Sequence, residues 1–473
     1  MAKSSEAREL NEYFKEHSMY DFLKVIKRFY PGLFKCFGSC DKDPRKQNRI
    51  KYTTGIILTM LFFKYVCSIV SMHSMADKFN VGTVIENLLN LSGETGLQNI
   101  PHYQTINDFL ARLSPVFLEE MRCNIITHLI RTNQFYSYRL DKQYWLILID
   151  GTGIYGGSRK IHSKCLFRVH NKKQADEYTT YHIQVLEAKL LLFGINIPFS
   201  IMSEYIENTP EDEKSDKKMS DEKYKQDCER KAFTRLAKRI KEKFPHMPIC
   251  IVADALYNTE PVIATCEKYR WKYIFRFKDG TIQSIAEEVQ GLADEMEAGV
   301  PNELEPVRDV AYLKDIEYGG HKVTYLRATD RKIVVERKET RGQKKTKKDP
   351  APIKFQWITN LDLSPRFAVK VALAGRARWK IENEGFNRQK NWVGNMTHLC
   401  SWNEQAIKNH YCMMQIADIF RMLFEYVNIT SKKIKRTFEQ IADDLYTAFS
   451  RANLFAEEAK GKYKTVLEKL VFG

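Results

Sequence analysis

Two aspartates in this sequence stand where an isolated charge is costly. Asp150 closes the apolar run WLILID and Asp254 closes ICIVAD, and a carboxylate at the end of a buried strand needs a compensating partner. Both are followed by small or turn-compatible residues, which leaves each carboxylate at the edge of a sheet. For either aspartate alone, capping the next turn is the simpler explanation. A third acidic residue, Glu382, follows Arg378 by four positions and shares a helical face with it, and Phe386 and Gln389 continue that face. On a solvated helix such a pair is worth only roughly a few tenths of a kcal/mol. Trp379, Ile381 and Phe386 mark this helix as partly buried, where a charge needs a stronger reason to exist. Glu384 competes with Glu382, but two positions turn about 200° around a helix, so only one of them faces the aspartates. Glu382 keeps the spacing from Arg378.

Three converging carboxylates repel one another, and hard divalent cations such as Mg²⁺ relieve that repulsion through oxygen ligands. Two ions (Mg²⁺ or Mn²⁺) about 4 Å apart activate an attacking oxygen and stabilise a leaving one in in-line phosphoryl transfer. Water and a 3′-hydroxyl are equally suitable nucleophiles. The glycine-rich stretch GTGIYGGS (151–158) lacks the lysine and flanking pattern of a phosphate-cradling loop, which disfavours nucleotide hydrolysis.

The elements that must position these groups fall in sequence order. Residues 1–140 read as helical, with apolar residues at helical spacing through YDFLKVIKRFY, 53–71 and VFLEEMRCNIITHLIRTNQF. Thr105 and Asp108 have the spacing of a capping box. Residues 141–280 change to short runs rich in Ile, Val, Tyr and Phe, giving three strands (144–153, 181–192, 195–206), a helix through QDCERKAFTRLAKRIKEKF, the strand PICIVADAL, a short helix and the strand WKYIFRFKD. Residues 281–353 read as a β-rich, basic insertion with strands GHKVTYLRAT and KIVVERKE. Residues 354–400 return to the core with the strand IKFQWITNLDL, after which Ser364 and Pro365 open a long helix carrying Arg378 and Glu382. Residues 401–473 are helical again. The fold class is therefore α/β with helical flanks.

RWKIE (378–382), IDGTG around Asp150 and IVADALY around Asp254 occur in the order found in bacterial insertion-sequence transposases of the Asp-Asp-Glu type. The chain resembles insertion-sequence family four, whose signature is Tyr, two residues, Arg, three residues, Glu, six residues, Lys. The resemblance spans roughly 144–400 and implies an RNase H-like mixed-sheet core. It also implies cleavage at terminal inverted repeats, 3′-hydroxyl strand transfer into target DNA, a dimer on DNA, and work on the nucleoid in the bacterial cytoplasm. Two positions depart from the signature: Gly375 stands in the place of the Tyr, and Gln389 in that of the Lys, with Lys390 one step later. Those family residues contact DNA near the cut end, so the departures bear on how the cleaved strand is handled, including any hairpin intermediate. A nuclease that cuts without joining, and a DNA-binding derivative that has lost activity, are the alternatives.

Basic side chains complete the pattern. Arg378 suits a phosphate near Glu382, and Lys390 can act likewise. Arg159 and Lys160 open the segment SRKIHSKCLFRVHNKKQ (158–174), which alternates basic and apolar residues as a strand or loop along a DNA backbone does. Arg341, Lys344, Lys345, Lys347 and Lys348 form a basic run in the insertion, a flexible loop or a DNA-tracking one. Trp357 and Trp392 have the chemistry to stack on a displaced base, although such aromatics are usually core. Over 473 residues, 75 Lys and Arg against 59 Asp and Glu leave a net charge of +16, which favours a polyanionic partner. The ten cysteines show no dense framework, the N-terminus is not a signal peptide, and Cys36 and Cys40 lack a second pair for zinc, all of which fits a reducing cytoplasm. Lys64 interrupts the apolar stretch 53–71, which reads as a buried helix rather than a membrane span.

Overall fold

The computed structural model describes residues 2–39, 43–45, 50–208, 226–278, 280, 282–302, 305–330, 353–430 and 434–455. The first part is helical: α1 (Ala2–Phe29), α2 (Leu33–Gly38), α3 (Thr54–Val66), α4 (Met72–Phe79), α5 (Gly82–Ser92), α6 (Tyr103–Leu110) and α7 (Pro115–Arg131). The Thr53 side chain caps α3 by accepting from the Ile56 N–H, and every residue of this helix is buried. No helix among the described residues is long and apolar enough to cross a membrane. The expected capping box at Thr105 is not formed. Helix α6 starts earlier, with the His102 side chain accepting from the Gln104 N–H, so Thr105 lies within the first turn.

A single mixed sheet follows, built from β1 (Trp145–Gly157), β2 (Leu166–His170), β3 (Tyr178–Leu192), β4 (Ile197–Ile206), β5 (Ile249–Ala253), β6 (Lys272–Phe277), β7 (Glu297–Ala298), β8 (Val307–Tyr318), β9 (His321–Asp330) and β10 (Lys354–Thr359). Its order is β2-β3-β1-β5-β6-β10-β9-β8-β7, with β4 also paired to β3. Strands β1, β5 and β6 are mutually parallel, and the remaining pairs are antiparallel. Helix α8 (Glu229–Lys243) leads from β4 into β5, and α9 (Glu260–Lys268) supplies the crossover that the parallel neighbours β5 and β6 require.

The described part of the segment anticipated as an insertion contributes helix α10 (Gln283–Gly291) and strands that extend this sheet instead of interrupting it. β10 pairs with β6 on one side and β9 on the other, and Gly319 and Gly320, with φ of +55° and +79°, turn β8 into β9. β8 escaped the sequence reading because Asp309 and Asp315, with φ of +46° and +59°, interrupt its alternation at the two register shifts against β9. The expected strand KIVVERKE lies outside the described residues.

One long helix was expected after Pro365. The chain instead forms α11 (Pro365–Arg376), a turn, a π-helical segment (Ile381–Asn387) and α12 (Arg388–Asn391). Ser364 takes the N-cap position without a side-chain cap bond. Helices α13 (Glu404–Phe424) and α14 (Phe438–Arg451) follow, with Arg388 tied to Asp418 and Glu425. Two apolar cores result. The larger joins α1–α7, α8, α13 and α14 to one face of the sheet, through Ile147, Ile149, Ile251 and Ala253 among others. The smaller packs Leu146, Leu148 and Val252 against Trp357, Ala372, Ile381 and Phe386 on the other face.

Candidate active site

Strand alternation places the two aspartates. Leu148 and Val252 form the last paired position of the parallel β1–β5 ladder and both belong to the smaller core; two residues further along stand Asp150, still within β1 and on the same face as Leu148, and Asp254, the first residue past the end of β5. Asp150 does not end its strand: β1 runs on to Gly157, and Asp150 lies opposite Glu187 of β3. What ends there is the pairing to β5, and this opens the carboxylate to the sheet's rim. Asp254 caps the 3₁₀ turn Ala255–Tyr257, its Oδ1 accepting from the Leu256 N–H at 2.8 Å. It is thus both a turn cap and a neighbour of Asp150.

The third group arrives from the π-helical segment, whose Ile381 and Phe386 sit in the smaller core. Arg378 Nη1 reaches Asp150 Oδ2 at 3.1 Å. Burial pushes the Asp150 carboxyl up to about 6. The Arg378 guanidinium opposes this, while the charges of Asp254 and Glu382 reinforce it. Glu382, rather than Glu384, is the glutamate whose charge reaches Asp150; Glu384 is engaged by Lys380 at 3.1 Å.

These are hard oxygen donors of the kind that Mg²⁺ and Mn²⁺ take, and a buried carboxylate among like charges is chemically suited to a cation. Their present spacing does not close a coordination sphere: among the described residues no group of three or more His, Cys, Asp or Glu side chains stands close enough to hold one ion. The reasons are local. Asp150 leans on Arg378, Asp254 is turned to the Leu256 N–H, and the carboxylates repel each other.

Two neighbours were not legible in the sequence. Arg276 on β6 stacks on Phe355 at 4.6 Å, and burial, then the nearby Arg378 charge, hold its pKa below the ordinary value. Glu229, the first residue of α8, is raised by burial and by Asp150 and Asp254, against a lowering hydrogen bond from the Tyr257 hydroxyl. No sequence signal marks either, since Arg276 reads as an outward residue of a strand and Glu229 as a first-turn acid favoured by the helix dipole.

The remaining predicted residues scatter. Lys390 is half-buried with its Nζ 5.9 Å from the Phe386 ring. Gln389, at the signature Lys position, is buried and bonded to Gln415 and Asp418 of α13. Arg159 and Lys160 are exposed, and Arg159 lies over Trp402 at 4.6 Å. Lys344, Lys345, Lys347 and Lys348, with Arg341, lie outside the described residues, as does Cys40. Trp357 is a core residue and Trp392 is exposed. Gly375, at the signature Tyr position, lies directly under Trp357: a Cβ there would sit 2.6 Å from the indole Cε2.

No curated protein matches the chain. Residues 226–416, which include Asp254, Arg378 and Glu382 and begin after Asp150, match the family model of a transposase DDE domain, and this match supports DNA transposase function in general terms.

Proposed function

We propose that this chain is a divalent-metal-dependent DNA transposase that cleaves phosphodiester bonds at the ends of its own element and joins the freed 3′-hydroxyls to target DNA. The observation that carries the reading is that the charges of Asp254, just past the end of β5, and of Glu382, on a distant helical segment, both act on Asp150 of β1, with Asp254 and Glu382 inside the matched family domain. The order β4-β3-β1-β5-β6, antiparallel then parallel, supports an RNase H-like core made from residues 141–280 and 354–400, with 281–353 as a β-rich basic insertion whose described strands add to its sheet.

Asp150, Asp254 and Glu382 would hold the ions, which when bound supply charge neutralisation and Lewis acidity to in-line phosphoryl transfer. Arg378 holds the Asp150 carboxylate in place and presents a planar fork suited to a phosphate. Lys390, Arg159 and Lys160 lie along the path of the DNA backbone. The helical region 1–140 reads the element's inverted repeats, residues 401–473 brace the core, and two copies act together on paired ends in the bacterial cytoplasm.

The test is nicking and joining of duplex DNA carrying the repeats that flank the gene. Wild type cuts and joins with Mg²⁺ or Mn²⁺ and not with EDTA, while Asp254→Ala and Glu382→Gln fall to background. Cutting without joined product would reduce the activity to that of a nuclease, and equal cutting by Asp254→Ala would overturn the reading.

A further inference from the structure

Lys64, the charge that interrupts the apolar stretch 53–71, has no task in the site described above. It lies in the last turn of α3 and is fully buried, and among the described residues its Nζ finds no hydrogen-bond partner. An ammonium buried in that state is costly. The Tyr65 ring centroid is 4.1 Å from it. Burial lowers the Lys64 pKa, and the group that opposes this is the Cys400 thiol, on the loop between α12 and α13. The opposing charge thus comes from a sulfur and not from a carboxylate.

Cys400 also borders a cavity. The space measures roughly 30 Å³ and is lined by Cys400 with Tyr65, His410, Met414 and Gly394 among others, which gives room for one water-sized molecule. The thiol is partly exposed, and its Sγ lies 3.7 Å from the Val70 carbonyl, on the chain that leaves α3. A run of hydrogen bonds fixes its backbone. The Tyr65 hydroxyl pairs with His410 Nδ1 at 2.9 Å, His410 Nε2 with Asn107 Oδ1 at 2.9 Å, and Asn107 Nδ2 donates to the Cys400 carbonyl at 2.8 Å. Burial, then the Lys64 charge, hold His410 well below its ordinary pKa, so the imidazole adds no second cation.

We propose that Cys400 is a peroxide-sensitive modification site: its thiolate, paired with the Lys64 ammonium, reacts with hydrogen peroxide admitted to this cavity. The thiolate is the nucleophilic form of cysteine, and a neighbouring lysine favours it. The sulfur attacks one peroxide oxygen, and an S–O bond forms as the O–O bond breaks. The sulfur gives up two electrons and becomes a sulfenic acid. The departing hydroxide takes a proton from Lys64 and leaves as water.

For the test, full-length protein is treated with hydrogen peroxide and dimedone, and the sulfenic acid adducts are mapped by peptide mass spectrometry. Cys36 is the internal reference, because it too is partly exposed and its sulfur meets the Tyr30 hydroxyl at 3.8 Å. Cys400 is expected to be trapped about tenfold faster than Cys36, and Lys64→Met to bring Cys400 down to the Cys36 rate. Equal trapping of the two cysteines in the wild type would overturn the inference, and that comparison stands even where Lys64→Met does not fold. Fast trapping that survives Lys64→Met would overturn it as well.

Discussion

Burial governs Asp150 more than its neighbours do. Its carboxyl titrates at about 6 in the folded chain against an ordinary 3.8, so the folded state binds this proton more tightly than the unfolded one. Stability from this group is therefore greatest below pH 3.8, declines as pH rises between 3.8 and about 6, and stays at its lower level above that. At about 1.4 kcal/mol per unit, the cost at neutral pH is on the order of 2–3 kcal/mol before solvent screening. Asp150→Asn is accordingly expected to stabilise the metal-free protein by roughly 1–3 kcal/mol at pH 7.5 and by nothing at pH 4, while abolishing cleavage. Urea unfolding at the two pH values checks this, and equal gains at both would refute it. The two aspartates and the Arg378–Glu382 pair were legible because an acid inside an apolar run is anomalous within a few residues. Glu229 was not, since its burial depends on Gly151 and Tyr257, both remote in sequence and each unremarkable by itself.

At the scale of elements, the segment carrying Glu382 owes its shape to what it must touch on two sides. Ile381 and Phe386 pack toward the sheet, Gly385 lies against the buried Lys189, and Arg388 and Gln389 reach back to α13. A regular helix has one spacing with which to meet both demands, and the widened π turn supplies another. Sequence periodicity saw the apolar face and predicted an unbroken helix. It had no means of registering the α13 contacts, which are made by polar residues. A glycine at position 375 has a packing explanation: Trp357 fills the space over it, and β10, which presents that tryptophan, was correctly anticipated as a strand. Gly375→Tyr is therefore expected to destabilise the protein by about 3 kcal/mol or more through overpacking. Unaltered denaturant midpoints would show that the site accommodates the ring.

For the whole molecule, net charge and connectivity matter most. A surplus of +16 over 473 residues predicts DNA binding that weakens steeply with salt, in proportion to the phosphates neutralised. Replacing Lys390 or Arg159 by Ala is expected to lower the slope of log K against log salt by about one each. Fluorescence anisotropy from low to moderate salt measures this, and an unaltered slope would remove that residue from the DNA path. The α/β class and the helical flanks were readable from composition and periodicity. That β8 and β9 widen the main sheet was not, because strand order depends on pairing between distant segments. α1 packs against α14, and α13 rests on α3, α7 and β4, so the larger core is not complete until α13 and α14 are in place. A chain emerging from the ribosome therefore presents β1 and β5 before α13 and α14, the helices that complete the packing on that face of the sheet, have been made.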